Sequence, residues 1–374
     1  MSRTLPVSVA AGMAATLLLT ASACGKEVDT SLSGVTGSAT PSGSAATSGQ
    51  ASPGSPSPTG SMGQTGSPSP SGTGTGTGGS GDRLATGPGS LANPQVTAKL
   101  DDADGQRPEG LALEPDGAAN VTFGGKAHQI ARVGTDGNVK VLATMPAPEG
   151  DAAGPSGITR GSNGTLYVAN AAGSADQNGV WRLPRGAKPS RVASLPADAA
   201  AKGVAIDEGS GDIYLTEHAK GQIWKIRAHD DKATLWAQGD ELAGSGGDSG
   251  GGASGVEVRG GAVWTTNADK GTLVRVPIKG DGSAGDPEVK ATDLKGAGDL
   301  AFTQGTDDVA LVTRESANQV VRVKSDGTHE PVLNAQSGLA GPTSVVVREG
   351  KAHIANAGTD DKKEPGLLTA DVQR

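Results

Sequence analysis

One side chain in this sequence that could take part in acid–base chemistry is the imidazole of His218. It directly follows Glu217, and a carboxylate beside an imidazole is an arrangement that a general base can use. Neighbouring residues in a loop are more often simply exposed, so both roles stay open for this pair. The other four histidines are at positions 128, 229, 329 and 353.

A nucleophile could be sought at Ser249, in the glycine-rich stretch of residues 244–255. The string Gly247-Asp-Ser-Gly-Gly251 resembles the segment around the nucleophilic serine of trypsin-like proteases. That resemblance implies a histidine near the start of the domain, an aspartate and two six-stranded barrels, and the sequence offers none of them in a matching context. In a chain with 60 glycines such a match arises easily by chance. We therefore interpret Ser249 as a loop residue.

The only cysteine, Cys24, follows a targeting segment that we place at residues 1–23. Arg3 precedes an uncharged apolar run too short to span a bilayer. Leu19-Thr-Ala-Ser-Ala-Cys24 resembles the lipobox of bacterial lipoproteins, which implies diacylglyceryl attachment (palmitate-type chains) at Cys24. It also implies anchorage on the extracytoplasmic face of the cell membrane of a Gram-positive, high-GC bacterium. A plain secretory signal is the alternative.

The rest of the chain divides by composition into a tether at residues 24–92 and a folded domain at residues 93–374. No charged residue occurs from 30 to 81, where the sequence is almost entirely Gly, Ser, Thr, Pro and Ala. Such a segment cannot bury enough apolar surface to fold, so we expect a disordered tether. The net charge of −8 lies in the domain without a basic stripe, which argues against a nucleic-acid partner.

The domain contains a repeat of four apolar strands with hairpin turns. The copies begin at residues 109, 156, 202, 254, 298 and 343, a spacing of 44 to 52 residues that suits one blade of a β-propeller. Asp-Gly and Asn-Gly pairs mark tight turns between the strands. The sixth copy stops after three strands, and the strand at residues 96–100 is free to complete it. We predict an all-β, six-bladed β-propeller whose last blade is closed by this N-terminal strand.

Two positions of the repeat are polar in most copies, and in a propeller both lie on one face around the central channel. The first holds Glu109, Ser156, Lys202, Ser254, Gly298 and Thr343. The second holds Gly125, Asn170, Glu217, Asn267, Arg314 and Asn356, with His218 and Glu315 directly after two of them. From these we select nine residues as the candidate binding face: Glu109, Asn170, Lys202, Glu217, His218, Asn267, Arg314, Glu315 and Asn356.

Residues 96–374 also resemble a known class. Pro108-Glu-Gly-Leu-Ala112 and Leu166-Tyr-Val-Ala-Asn170 are similar to NHL-repeat propellers and to the gluconolactonase, senescence-marker and luciferin-regenerating group. That group holds a divalent metal in its channel through a glutamate that opens the first blade, plus an asparagine and an aspartate that open later ones. Glu109 matches the glutamate, but the other blades open without Asn or Asp, and Asp299 is one position along. Lys202 would oppose a cation there.

We therefore predict a membrane-anchored binding or scaffold module for a protein, a glycan or a small ligand, with no cofactor and as a monomer. The alternative is a gluconolactonase-like hydrolase with Ca²⁺ or Mn²⁺ held at Glu109. Catalytic residues are not identified. If Glu109 holds no metal, we expect it to form an ion pair with Lys202 or Arg314 across the channel.

Overall fold

The computed structural model describes residues 84–246, 251–305, 307–359 and 364–374. All of them belong to a compact unit that spans residues 76–374. The expectations for Cys24, for Ser249 and for the tether up to residue 83 lie outside the described residues. Within these ranges, no helix has the length and apolar character needed to cross a membrane.

The described strands form six antiparallel sheets of four strands each, which confirms the predicted propeller. Blade 1 comprises β2 (Pro108–Leu113), β3 (Ala119–Phe123), β4 (Gln129–Val133) and β5 (Val139–Thr144). Blade 2 comprises β6 (Gly154–Arg160), β7 (Leu166–Ala171), β8 (Gly179–Leu183) and β9 (Ser190–Ser194). Blade 3 comprises β10 (Ala201–Ile206), β11 (Ile213–Glu217), β12 (Gln222–Ile226) and β13 (Ala233–Ala237).

The second half of the ring repeats this order. Blade 4 comprises β14 (Ala253–Arg259), β15 (Ala262–Asn267), β16 (Thr272–Pro277) and β17 (Glu288–Ala291). Blade 5 comprises β18 (Ala297–Phe302), β19 (Ala310–Arg314), β20 (Gln319–Val323) and β21 (His329–Leu333), followed by a 3₁₀ turn at Ala335–Ser337. Blade 6 comprises β22 (Pro342–Arg348), β23 (Lys351–Asn356), β24 (Gly366–Val372) and β1 (Leu91–Lys99).

The N-terminal strand closes blade 6 as predicted, because β1 pairs antiparallel with β24. It starts at Leu91 rather than at Val96, since Leu91 is buried and pairs with Val372. The chain before it is also fixed. The guanidinium of Arg322, which is 3% exposed, donates to the carbonyl of Pro88 at 2.5 Å. Closure thus removes an open sheet edge.

The turns follow from the sequence in the way expected for tight hairpins. Gly117, Gly137, Gly164 and Gly327 end the predicted Asp-Gly and Asn-Gly turns, and their φ angles are 85°, 80°, 82° and 83°. Side chains rarely adopt this conformation, so glycine is required at these positions.

Apolar residues fill the spaces between blades rather than a single centre. Six buried clusters each combine residues of two neighbouring blades. Trp181 and Trp224 pack against two of these clusters from the third strands, as the sequence suggested.

Neighbouring inner strands approach each other closely near their start. A Cβ on Gly110, Gly157 or Gly203 would lie 2.5 Å from the carbonyl oxygen of Ser156, Lys202 or Ser254, respectively, in the next blade. Glycine therefore permits this approach in the first blades. Blades 5 and 6 carry Asp299 and Ser344 at the same position.

A hydroxyl-to-carbonyl hydrogen bond joins each of the six pairs of neighbouring blades near this point. Thr122, Thr216, Thr266 and Thr313 of the second strands donate to the carbonyls of Ser156, Ser254, Gly298 and Thr343. Blades 2 and 6 have Ala169 and Ala355 in place of that threonine. There the inner strand supplies the donor instead: Ser156 Oγ donates to Lys202 O at 2.9 Å, and Thr343 Oγ1 to Pro108 O at 2.8 Å.

Candidate functional site

A channel of 590 Å³ runs along the six inner strands at the centre of the ring. Its middle is apolar, and its wall there consists of Leu111, Ile158, Val204, Val256, Leu300 and Val345. We call the end where the inner strands begin the entry end. Equivalent residues near the start of each inner strand lie there, and we call them the inner ring: Glu109, Ser156, Lys202, Ser254, Gly298 and Thr343.

Glu109 and Lys202 form an ion pair across the entry end. Lys202 Nζ lies 2.9 Å from Glu109 Oε2, and the two side chains are 39% and 29% exposed. Lys202 is one of the two partners expected for Glu109, whereas Arg314 instead donates to Lys295 O and Gln319 Oε1. The Glu109 carboxylate, aided by Glu315 and Asp299, raises the pKa of Lys202. Lys202 is therefore charged at neutral pH.

His218 lines the channel beside the inner ring. Its Nδ1 lies 3.3 Å from Ala253 O. A carbonyl can only accept, so this contact assigns the proton to Nδ1 and leaves Nε2 as an acceptor. Burial and the Lys202 charge lower the pKa of His218. A neutral imidazole, whose Nε2 has no hydrogen-bond partner among the described residues, thus lies at the entry end.

Two further carboxylates face the entry end from blade 5. Asp299 Oδ2 accepts from Ser344 Oγ at 2.6 Å and from Val345 N at 3.2 Å. Burial raises the pKa of Asp299. Partial removal from solvent and the nearby Glu109 carboxylate raise the pKa of Glu315. Both groups line the same channel as Lys202.

Glu257 lies deeper in the channel, within the inner strand of blade 4. Its Oε2 accepts from the backbone N–H of Phe302 at 2.9 Å. Burial, together with the Asp299 carboxylate, raises the pKa of Glu257 to about 7. A carboxylate with such a pKa exchanges its proton readily near neutrality.

Ser254 differs from the other hydroxyls of the inner ring. The hydroxyls of Ser156 and Thr343 complete blade junctions, but the junction of blades 4 and 5 already uses Thr266. Ser254 is 3% exposed and lines the channel, and its hydroxyl has no hydrogen-bond partner among the described residues. The Ser254 hydroxyl can therefore donate or accept a hydrogen bond at the entry end.

The second polar position of the repeat has a different environment. We call the residues of the second strands that pair with the residue before the inner ring the outer ring: Phe123, Asn170, Glu217, Asn267, Arg314 and Asn356. The alignment that placed Gly125 in this set was wrong. Phe123 is the residue that pairs with Pro108, because the following loop of blade 1 carries Gly124 and Gly125 beyond the strand.

The polar residues of the outer ring bind backbone groups of adjoining loops. Glu217, 1% exposed, accepts from the amides of Ala200, Ala219 and Lys220 at 2.8 to 3.1 Å. Asn267 donates to Glu241 O and Ala243 O and accepts from the amide of Lys270. These contacts fix loops behind the channel.

Asn170 and Asn356 are equally buried and donate to Gln177 O and Gly338 O. Of the nine residues selected from the sequence, the structure brings four together around the channel: Glu109, Lys202, His218 and Glu315. The other five lie outside the channel wall: Asn170, Glu217, Asn267, Arg314 and Asn356.

At the opposite end of the channel, two arginine side chains contact Glu114. Arg160 Nε lies 3.0 Å from Glu114 Oε2, and Arg348 donates to Glu114 O at 2.7 Å. Both therefore hold the first turn of blade 1 against its neighbours.

The residues do not fit a divalent metal site of the gluconolactonase kind. Among the described residues, no group of three or more His, Cys, Asp or Glu side chains is placed to hold a metal ion. The matching carboxylate, Glu109, already pairs with a lysine.

Three channel residues were missed or set aside on the sequence. Asp299 is one residue beyond the expected position. Glu257 gave a visible signal, since it is a charge inside the apolar strand Val256-Glu-Val258. Ser254 could be found only by comparing blades.

No family model matches this chain, and no curated protein matches its sequence. Solved structures share its fold. An auxiliary nutrient binding protein from Bacteroides thetaiotaomicron superposes with a TM-score of 0.58 at 10% identity, over 74% of this chain and 76% of that one. A gluconolactonase-like protein gives 0.56 at 12% identity, over 76% and 94%. Virginiamycin B lyase from Staphylococcus aureus gives 0.51 at 16% identity, over 74% and 99%. At these identities the likeness concerns the β-propeller fold alone.

Proposed function

We propose that this protein is a binding module that holds a small polar ligand in the entry end of its central channel. The observation that supports this most is the 590 Å³ channel, which falls in the size range of small-molecule sites. Its apolar wall ends in converging polar groups, the combination by which such sites bury and orient a ligand. Ser254, His218 and Asp299 are among these groups.

The geometry favours a small ligand over a protein docked on the outer ring. The polar residues of that ring bind loop backbone, and four of them are buried; the amide oxygens of Asn170 and Asn356 have no partner among the described residues but are sealed from solvent. By contrast, the entry end keeps a free hydroxyl and a free imidazole nitrogen. A ligand can form hydrogen bonds with polar groups that have no partner in a concave, partly desolvated site.

The test is a thermal-shift screen of a charge-balanced library of small polar compounds on the full chain. A matched pair of variants locates the binding. Ala268→Trp places an indole at the channel wall, and Ala103→Trp adds the same group at an exposed site outside the channel. Hits that stabilise the wild type and Ala103→Trp, but not Ala268→Trp, support the proposal. Hits that stabilise Ala268→Trp as much as the wild type contradict the proposal.

We also propose that the propeller is anchored outside the cell through Cys24 and the tether of residues 24–92. The lipobox-like sequence supports this placement. Two acyl chains would hold the protein stably on a bilayer, where one would not. Mass spectrometry of the N-terminal peptide should find a diacylglyceryl group on Cys24, and Cys24→Ser should release the protein into the medium. An unmodified Cys24 would refute the anchor.

The gluconolactonase-like hydrolase remains the other candidate by resemblance, and the donor set of the channel speaks against it. Metal analysis of the purified chain distinguishes the binding module from the hydrolase. A stoichiometric Ca²⁺ or Mn²⁺ that is lost in Glu109→Gln would favour the hydrolase.

A further inference from the structure

We propose that the ligand of the entry end carries a positively charged amino group, and that Ser254 and His218 position it. The inference rests on the proposed function, because it names the chemical class that the channel would select. It is carried by the charge balance of the described channel wall and, independently, by the hydroxyl of Ser254, which faces the channel from a residue that is 3% exposed.

Among the described residues that line the channel, carboxylates outnumber cations. The acidic residues of the wall are Glu109, Glu208, Glu257, Asp299 and Glu315. The basic residues are Arg160, Lys202 and Arg348. Both arginines are bound to Glu114 at the far end, away from the inner ring.

At the entry end, Lys202 neutralises Glu109 through their ion pair. Among the described residues, Asp299 and Glu315 then have no ion-pair partner, and burial keeps the pKa of His218 low. Asp299 has hydrogen bonds to Ser344 and Val345, but these are neutral donors. In a partly desolvated channel, two uncompensated carboxylates favour a ligand that supplies positive charge.

The available groups at this end are acceptors. His218 presents Nε2 without a proton, the carboxylates accept only, and the Ser254 hydroxyl can accept or donate. A ligand must therefore supply the hydrogen-bond donors. A primary ammonium supplies three of them together with the charge.

Ser254 adds a second line of argument. A hydroxyl in a residue 97% removed from solvent would normally be paired. Here it faces the channel with no partner among the described residues, so a ligand is the group that can satisfy it. An organic cation fits better than a bare metal ion, because no three metal-ligating side chains converge in the described part of the chain.

The test uses three linear polyols that differ at one end: D-glucamine, D-sorbitol and D-gluconate. Calorimetry on the full chain at neutral pH should show D-glucamine binding about tenfold more tightly than D-sorbitol, with D-gluconate weakest. Equal or tighter binding of D-sorbitol or D-gluconate would overturn the charge assignment and leave channel binding intact. Absence of D-glucamine binding while the library screen still yields channel ligands would also overturn it. If the screen yields none either, the proposed function falls with it.

Variants at the entry end give effects of opposite sign. Glu315→Gln and Asp299→Asn should each weaken D-glucamine about three- to tenfold and leave D-sorbitol unchanged. Lys202→Gln removes the competing cation and should tighten D-glucamine by a similar factor. Ser254→Ala should weaken both compounds about fivefold. Structural damage would weaken the binding of both compounds, so looser D-glucamine binding by Lys202→Gln with D-sorbitol binding unchanged would refute the proposal.

Discussion

The inner and outer rings occupy matching positions in every blade and are both polar in most of them, yet their side chains do different work. In the outer ring, Glu217 and Asn267 hold loop backbone and are sealed from solvent. In the inner ring, Lys202 and Ser254 face a channel. A polar residue that recurs in most blades can therefore either stabilise a loop or contact a ligand. The decisive factor is whether backbone groups lie within reach.

The same contrast appears within the inner ring itself. Ser156 and Ser254 stand at equivalent positions, but Ser156 replaces a missing threonine at a blade junction. The junction after Ser254 already has Thr266. The comparison therefore predicts that replacing Ser156 lowers the stability of the fold, whereas replacing Ser254 leaves it nearly unchanged.

The largest effect should come from Glu217→Ala in the outer ring. It leaves three backbone amides without their acceptor, so we expect the free energy of unfolding to fall by about 4 kcal/mol. Urea denaturation measures this. Glu315→Ala is the matched control, since this exposed glutamate should change stability by no more than about 0.5 kcal/mol. Equal losses in both variants would contradict the structural role assigned to Glu217.

The next effect concerns the pH dependence of stability and arises from Glu257 in the channel. Burial raises the pKa of Glu257 from 4.5 to about 7, so the native state holds a proton that the unfolded state releases in this interval. The resulting stabilisation is present at low pH and is lost as the pH rises through that window. Its size is about 3 kcal/mol.

Glu257→Gln keeps an acceptor for the amide of Phe302 and removes the ionisation. At pH 8 the variant should be about 3 kcal/mol more stable than the wild type, and the two should converge near pH 5. Urea midpoints at both pH values provide the measurement. A constant difference would show that Glu257 is not the titrating group.

The smallest effect separates the two equivalent serines. Ser156→Ala breaks a blade junction and leaves the carbonyls of Ala201 and Lys202 without this donor, at a cost of about 1.5 kcal/mol. Ser254→Ala removes a hydroxyl with no partner and should cost less than about 0.5 kcal/mol. Thermal unfolding of both variants compares them directly. A loss at Ser254 as large as at Ser156 would mean that its hydroxyl is structural.

The blade count, the closing strand and the tight turns could be predicted because each depends on local sequence. The repeat spacing and the Asp-Gly pairs suffice for them. The start of β1 was missed because the burial of Leu91 and the Arg322 contacts depend on a blade more than 200 residues away.

The site was harder to predict, since residue type does not show where a side chain finds its partner. Asn267 contacts carbonyls of a loop from the preceding blade, and that loop has no sequence pattern. The spare hydroxyl of Ser254 is different. Blades with alanine at 169 and 355 carry the donor in the inner ring, whereas blade 4 has both a serine and a threonine. Comparing the repeats in this way would have found it.

The central claim is that ligands enter the channel, and methyl-labelled NMR of the full chain with the best ligand from the screen tests it most directly. We predict that shifts concentrate on methyl groups of the channel wall, such as Val204, Val256 and Val345. Val141, Leu235 and Val289, which are exposed on the outermost strands, should not move. Larger shifts at these outer residues than in the channel would contradict the account and place the binding surface on the rim of the propeller.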